Sequence, residues 1–257
     1  DKVYDGNVNA SLTIQDNRIS GDEIGLSYNA IFADKNVGDD KPINILNIAL
    51  TGPQAVNYSL GGSAPTSATS SITRRDTSIW IGGGSTNNWF DPANWAGGAV
   101  PDLSNVANVT IPADVTVSFD TTGAVSPADA SNAVNIDSLD SSSASLTQTD
   151  GTLNIGSGGM TLETFTQNGG SLSSSGNIEL NNFYQTGGTT DTSSKSKLTV
   201  NNDFSQSTVG SGDIDGDLNV TDNVGGTILG NLTVNGVTSI TSTDGDIIDL
   251  RKDGSSV

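Results

Sequence analysis

Three carboxylates spaced two residues apart, Asp213, Asp215 and Asp217, are the densest candidate for chemistry in this chain. With Gly216 between them they read as an acidic turn whose carboxylates and carbonyls could ligate calcium. Asp244-Gly245-Asp246 offers a smaller set of the same kind. Neither stretch follows the EF-hand loop or the glycine-rich nonapeptide repeat, and the turn preference of Asp and Gly accounts for both equally well. Calcium is therefore the single cofactor the sequence leaves open. Glycoside hydrolysis would need two facing carboxylates. Lyase chemistry would need a base with cations around an acidic sugar, and no Lys or Arg lies close to Asp213–Asp217 in sequence. The chain has no His and no Cys. That excludes a Ser-His-Asp triad, a thiol nucleophile and an ordinary zinc site. The expectation is a non-catalytic chain, with a β-helical polysaccharide-degrading enzyme as the weaker alternative. The remaining binding candidates are aromatic. Trp80, Trp89 and Trp95 are all the tryptophans present. Trp89 and Trp95 could form a sugar-stacking platform, or the three rings could cover the open end of a repeat structure.

Those residues must be positioned by elements the pattern makes visible. Leu146-Thr147-Gln148 recurs as Phe165-Thr166-Gln167, Phe183-Tyr184-Gln185 and Phe204-Ser205-Gln206, with glutamines about 19, 18 and 21 residues apart. Turn signals follow at Asp150-Gly151, Gly169-Gly170, Gly187-Gly188 and, more loosely, Gly210. A second apolar set keeps the same beat: Met160/Leu162, Ile178/Leu180, Leu198/Val200 and Leu218/Val220. Alternation within each pair is strand period. A unit this short cannot bury its own apolar side chains, but stacked copies can. The spacing predicts a parallel β-helix in which Phe165, Phe183 and Phe204 stack as one column. Gln148, Gln167, Gln185 and Gln206 would form an amide ladder on the same side. Val106 to Phe119 reads as the first rungs, Thr121 to Asp129 as a loop, and the stretch beyond Val220 as irregular rungs.

Composition agrees with a thin-cored solenoid: the hydrophobic fraction is 33%. A net charge of -19 argues against nucleic acid and anionic membrane surfaces as partners. No apolar run approaches the length of a membrane span, so no membrane insertion is expected. The chain shows neither a signal peptide nor an initiator Met, and it reads as a segment or processed product of something longer.

Residues 1–73 show alternating apolar residues at Val3, Leu12/Ile14, Ile24–Phe32, Ile43–Leu50 and Tyr58–Leu60, which predict strands, and Thr69–Thr73 a last one. Lys2-Val3-Tyr4-Asp5-Gly6-Asn7 resembles the opening of the YDG-type repeat of large bacterial exoproteins. Phe32-Ala33-Asp34-Lys35-Asn36-Val37-Gly38, Leu50-Thr51-Gly52 and Ala55-Val56-Asn57-Tyr58-Ser59-Leu60 resemble its middle and closing motifs. Gln54 departs from the acid more usual there. The resemblance implies a stalk or spacer module of a filamentous-haemagglutinin-like adhesin of the two-partner-secretion type, without catalysis. Trp80 to Pro101 resembles the tryptophan-rich segment that precedes β-helices in surface proteins.

The fold expected is therefore all-β: a small β-sandwich or β-grasp-like domain over 1–73, a linker at 74–78, a Trp-rich cap at 79–105, and a right-handed parallel β-helix over 106–257. The resemblance implies a secreted or bacterial cell-surface or matrix protein. Its partners would be extracellular glycans or cell surfaces, together with head-to-tail self-association or continuation in a longer chain.

Overall fold

The computed structural model describes residues 1–62, 64–122, 133–192, 196–206, 212–215, 217–221, 232–234 and 238–241; beyond residue 205 it describes backbone pairing alone. The chain is all-β, 53% strand and 3% helical. It divides into two compact units, Asp1–Arg75 and Asp76–Val257.

The first unit is a half-barrel built on one sheet. Its strands are β1 (Lys2–Val3), β2 (Gly25–Phe32), β3 (Gly38–Thr51) and β4 (Ser67–Thr73), in the order β1-β4-β3-β2. A single sheet replaces the two of a sandwich, and among the described residues the unit's one helical turn is the 3-10 segment Ala55–Asn57, too short for a β-grasp. The apolar alternation does what the pattern demands over half of the sheet: Ala30, Phe32, Ile43, Ile45 and Ile72 are buried with Tyr4. The β2–β3 register then shifts between Ser27 and Asn29, and Asn47 takes φ 55°. This bulge resets the alternation, so that Ile48 and Leu50 become the half-buried residues of the far end. Leu12, Ile14 and Tyr58-Ser59-Leu60, expected in strands, lie in irregular chain instead. Their apolar side chains drape over the sheet and need no ladder of their own.

The second unit is a β-solenoid of about 4 turns. Its strands are β5 (Arg75–Ile79), β6 (Val106–Thr110), β7 (Thr116–Phe119), β8 (Ala133–Gln148), β9 (Thr152–Gln167), β10 (Ser171–Ser174), β11 (Ile178–Gln185), β12 (Thr189–Asp191), β13 (Lys197–Val200), β14 (Phe204–Gln206), β15 (Gly212–Asp215), β16 (Asp217–Thr221), β17 (Leu232–Val234) and β18 (Thr238–Thr241). From β7 onward the described strand pairings are parallel and link equivalent positions of successive rungs. One face stacks Leu139, Met160, Ile178, Leu198 and Leu218, and another Leu146, Phe165, Phe183 and Phe204. A third stacks Ile136 on Ile155, and Leu153 on Leu172.

Two boundaries differ from the sequence reading. Residues 75–78, expected within a linker, form β5 together with Ile79, the first residue of the expected cap, and pair with β6. Asn88 bridges to Ser118 in parallel, so the Trp-rich segment is itself a turn of the coil preceding β6 and β7. The solenoid therefore begins about thirty residues before Val106. Of the stretches expected as a loop and as irregular rungs, residues 123–130, Ile228, Val237, Ile247, Ile248 and Leu250 lie outside the described residues, as does Gly210.

Candidate functional site

Each buried glutamine of the solenoid sits directly over the last. Gln148, Gln167 and Gln185 are 0–1% exposed. Gln167 Nε2 donates to Gln148 Oε1 at 3.2 Å, and Gln185 Nε2 donates to Gln167 Oε1 at 2.8 Å. The amides of Gln148 and Gln167 also reach across the coil. Gln148 Nε2 donates to the Ser171 carbonyl at 3.0 Å, Gln167 Nε2 to the Thr189 carbonyl at 2.9 Å, and Thr190 Oγ1 donates to Gln167 Oε1 at 2.9 Å. The ladder thus ties one wall of the solenoid to the next through its interior. The backbone register extends the column to Gln206. Beside it Phe165 and Phe183 stack at 5.6 Å with planes 10° apart, and Phe204 follows at 5.7 Å. Gly170 has φ 75°, and a Cβ there would meet the Gly151 carbonyl oxygen at 2.5 Å, so this turn position admits only glycine.

Below Gln148 in the same column stands Phe119, and on Phe119 rest the tryptophans' neighbours. Trp89 lies 5.7 Å and Phe90 4.9 Å from the Phe119 ring. Trp95 packs edge-on to Trp89 at 4.7 Å and to Trp80 at 5.0 Å. Trp95 Nε1 donates to the Trp89 carbonyl at 2.7 Å, while the buried Trp89 Nε1 has no partner among the described residues. Asparagines hold the plug together, a role that no periodicity in the sequence signals. Asn94, fully buried, accepts from Gly84 N–H and donates to the Thr86 and Asn88 carbonyls at 2.8–2.9 Å. Asn87 and Asn88 donate to the Thr116 and Asp120 carbonyls of the next rung. The three tryptophans are 5%, 0% and 0% exposed, so no ring face is free to stack a sugar. Packing of the solenoid's end uses the surface that a platform would need.

Asp213 and Asp215 lie on β15 and Asp217 on β16, in strands rather than at the expected turn. The backbone register sets Asp215 beside Asp191 and Asp213 beside Thr189. The side chains of Asp213, Asp215 and Asp217, and all of Asp244-Gly245-Asp246, lie outside what is described. Among the described residues no group of three or more His, Cys, Asp or Glu could hold a metal ion.

In the first unit the opening motif is an ammonium clasp. Lys2 Nζ is held by Asp5 Oδ1 at 2.7 Å, by the Asn7 carbonyl and Oδ1 at 2.9 and 3.0 Å, and by the Asn9 carbonyl at 3.0 Å. The middle motif repeats the device with Lys41 Nζ on Asp34 Oδ1 at 2.6 Å. Gln54 Oε1 accepts from Glu23 N–H at 2.9 Å, a contact a carboxylate would make as well. Residues 1–68 match the YDG domain. The match covers β1 to β3 and the first two residues of β4, and stops short of the solenoid. No curated protein and no solved structure matches the chain.

The YDG unit also holds a cleft of about 500 Å³, which the sequence reading missed because its walls come from non-periodic segments. Leu26, Ile48 and Leu50 line it from the sheet, and Ile14, Leu60 and Tyr58 from the draped chain. Arg18 donates to both Asp16 carboxylate oxygens and to the Ile24 carbonyl. The Arg18 hydrogen bonds hold Asp16 down at about 2. Tyr58 OH donates to Asp22 Oδ2 at 2.5 Å and accepts from Ile19 N–H at 3.1 Å. The bond to Asp22 pushes the Tyr58 hydroxyl above its ordinary value.

Proposed function

We propose that the chain is a non-catalytic structural and adhesive segment of an extracellular bacterial surface or matrix protein, in which the solenoid acts as a stiff spacer. The observation that carries this reading is the interior ladder. Glutamines on successive rungs bond to one another and to the opposite wall, so bending or parting two rungs breaks side-chain and backbone hydrogen bonds together. A coil satisfied in this way transmits load along its axis without needing a bulky core. The net charge of -19 keeps such a rod solvated. The YDG match at residues 1–68 supports the resemblance drawn from the sequence, and the adhesive role, the location and the surface partners are carried by that resemblance. Burial of Trp89 and Trp95 counts against the carbohydrate-platform alternative.

Single-molecule stretching from the two termini tests the mechanical half. A stiff spacer unfolds rung by rung at forces well above those of an unstructured tether; featureless extension at low force would reject it. Beads coated with the chain test the adhesive half, by retention on bacterial or host cell layers against uncoated beads.

A further inference from the structure

A one-sheet domain must cover one apolar face, and this one covers only half of it. At the closed end Ile43, Ile45, Phe32 and Ile72 are buried beneath Tyr4. At the other end Leu26, Ile48 and Leu50 remain half-buried and floor the cleft. Its edge is apolar too: Leu60 is 42% exposed, and Ile19, whose N–H is tied to Tyr58 in the cleft wall, is 70% exposed. Isolated exposed leucines need no explanation, but a concave floor and lip of aliphatic residues in one place does.

The charges around the cleft say what kind of group fits. Asp16 lines it and Asp22 is bonded to its wall residue Tyr58, two carboxylates against one cation, Arg18, among the described residues. The Arg18 guanidinium is turned onto Asp16 and the Ile24 carbonyl, so its charge is paired within the rim. The rim is therefore net negative, on a chain whose own charge of -19 repels a second copy. The sheet also supplies strand spacing, at which an extended segment presents every second side chain to one face.

We propose that this cleft is a docking site for an extended segment of a partner protein that alternates aliphatic and basic residues. Its aliphatic side chains lie on Leu26, Ile48 and Leu50, and its cations face Asp22. The proposal rests on the YDG unit alone, so its failure leaves the spacer reading untouched. The test uses the full chain and two fluorescent peptides, one alternating Leu with Lys and one alternating Leu with Glu, followed by anisotropy. The cationic peptide is expected to bind at least about tenfold more tightly, with an affinity that falls as salt rises. Leu60→Lys and Ile19→Lys, both at exposed positions and both checked by circular dichroism for an intact fold, should each weaken it by about tenfold or more. Equal binding of the two peptides overturns the proposal, and so does binding unaffected by both substitutions. Concentration-dependent self-association that Leu60→Lys abolishes would also overturn it, in favour of a second copy as the occupant.

Discussion

Replacing Gln167 by Met should be among the most damaging single changes in the solenoid. Methionine matches glutamine in length and flexibility, so it leaves little cavity and isolates the hydrogen bonds. Gln167 makes four of them in a fully buried site: to Gln148 Oε1, to the Thr189 carbonyl, from Gln185 Nε2 and from Thr190 Oγ1. The substitution strips the donor from Gln148 Oε1 and the 2.8 Å acceptor from Gln185 Nε2. At about 1–3 kcal/mol per buried group deprived of its partner, the loss from these two should be about 2–6 kcal/mol. Urea unfolding reads it out through tryptophan fluorescence, since all three tryptophans are buried in this unit. Far-UV dichroism must give the same midpoint, because solenoids can depart from two-state unfolding. The sharper measurement is the double variant Gln167→Met/Gln185→Met, which removes both ends of one bond. Its cost should fall short of the sum of the singles by about 1–2 kcal/mol. A single-variant loss below about 1 kcal/mol, or strict additivity, would refute the ladder as a coupled element.

Phe183→Ala should cost about 3–5 kcal/mol by urea unfolding, because the ring is fully buried between Phe165 and Phe204; a loss under about 1 kcal/mol would mean the column is not packed. Asp16, lowered to about 2 from 3.8 by Arg18, contributes stability that is present above pH 3.8 and lost as pH falls through about 2. A carboxyl NMR titration should show that value, and Arg18→Gln should return it toward 3.8. Chelator should leave the melting temperature unchanged, since the acidic stretches match no strong calcium loop; a fall of more than about 10 °C would show that calcium holds the fold.

What the sequence revealed follows from which contacts repeat. Gln148, Gln167 and Gln185 are spaced by one rung, so a contact between distant residues is written as a local period. The glycine turns were legible for the same reason, since each rung needs the same bend. Tyr58-Ser59-Leu60 misled because apolar alternation also suits a chain draped over a sheet. Residues 75–78 read as linker because Arg, Asp, Thr and Ser show no apolar pattern, and pairing with β6 makes them, with Ile79, a strand. The cleft was invisible for a different reason: Arg18, Ile48 and Tyr58 share no period and meet only through the tertiary fold. The tryptophans were visible as a group, yet their type suits a platform and a plug equally, and only their burial decides between the two.

The glutamine ladder has a direction. Gln167 and Gln185 each give a proton to the amide oxygen of the rung before, and the row ends at Phe119 beneath the tryptophan plug. A rung arriving with no predecessor lacks that amide acceptor, whereas one arriving on a finished turn finds it waiting. Assembly of the coil is therefore akin to growth of a crystal from a seed, with the first turn as the seed. The aromatic cluster of Trp80, Trp89 and Trp95 gives that first turn apolar burial that later turns obtain from their neighbours. Loosening the plug should slow the start of folding far more than it slows the addition of each later turn, and refolding from urea should then show a lag that lengthens with Trp95→Ala.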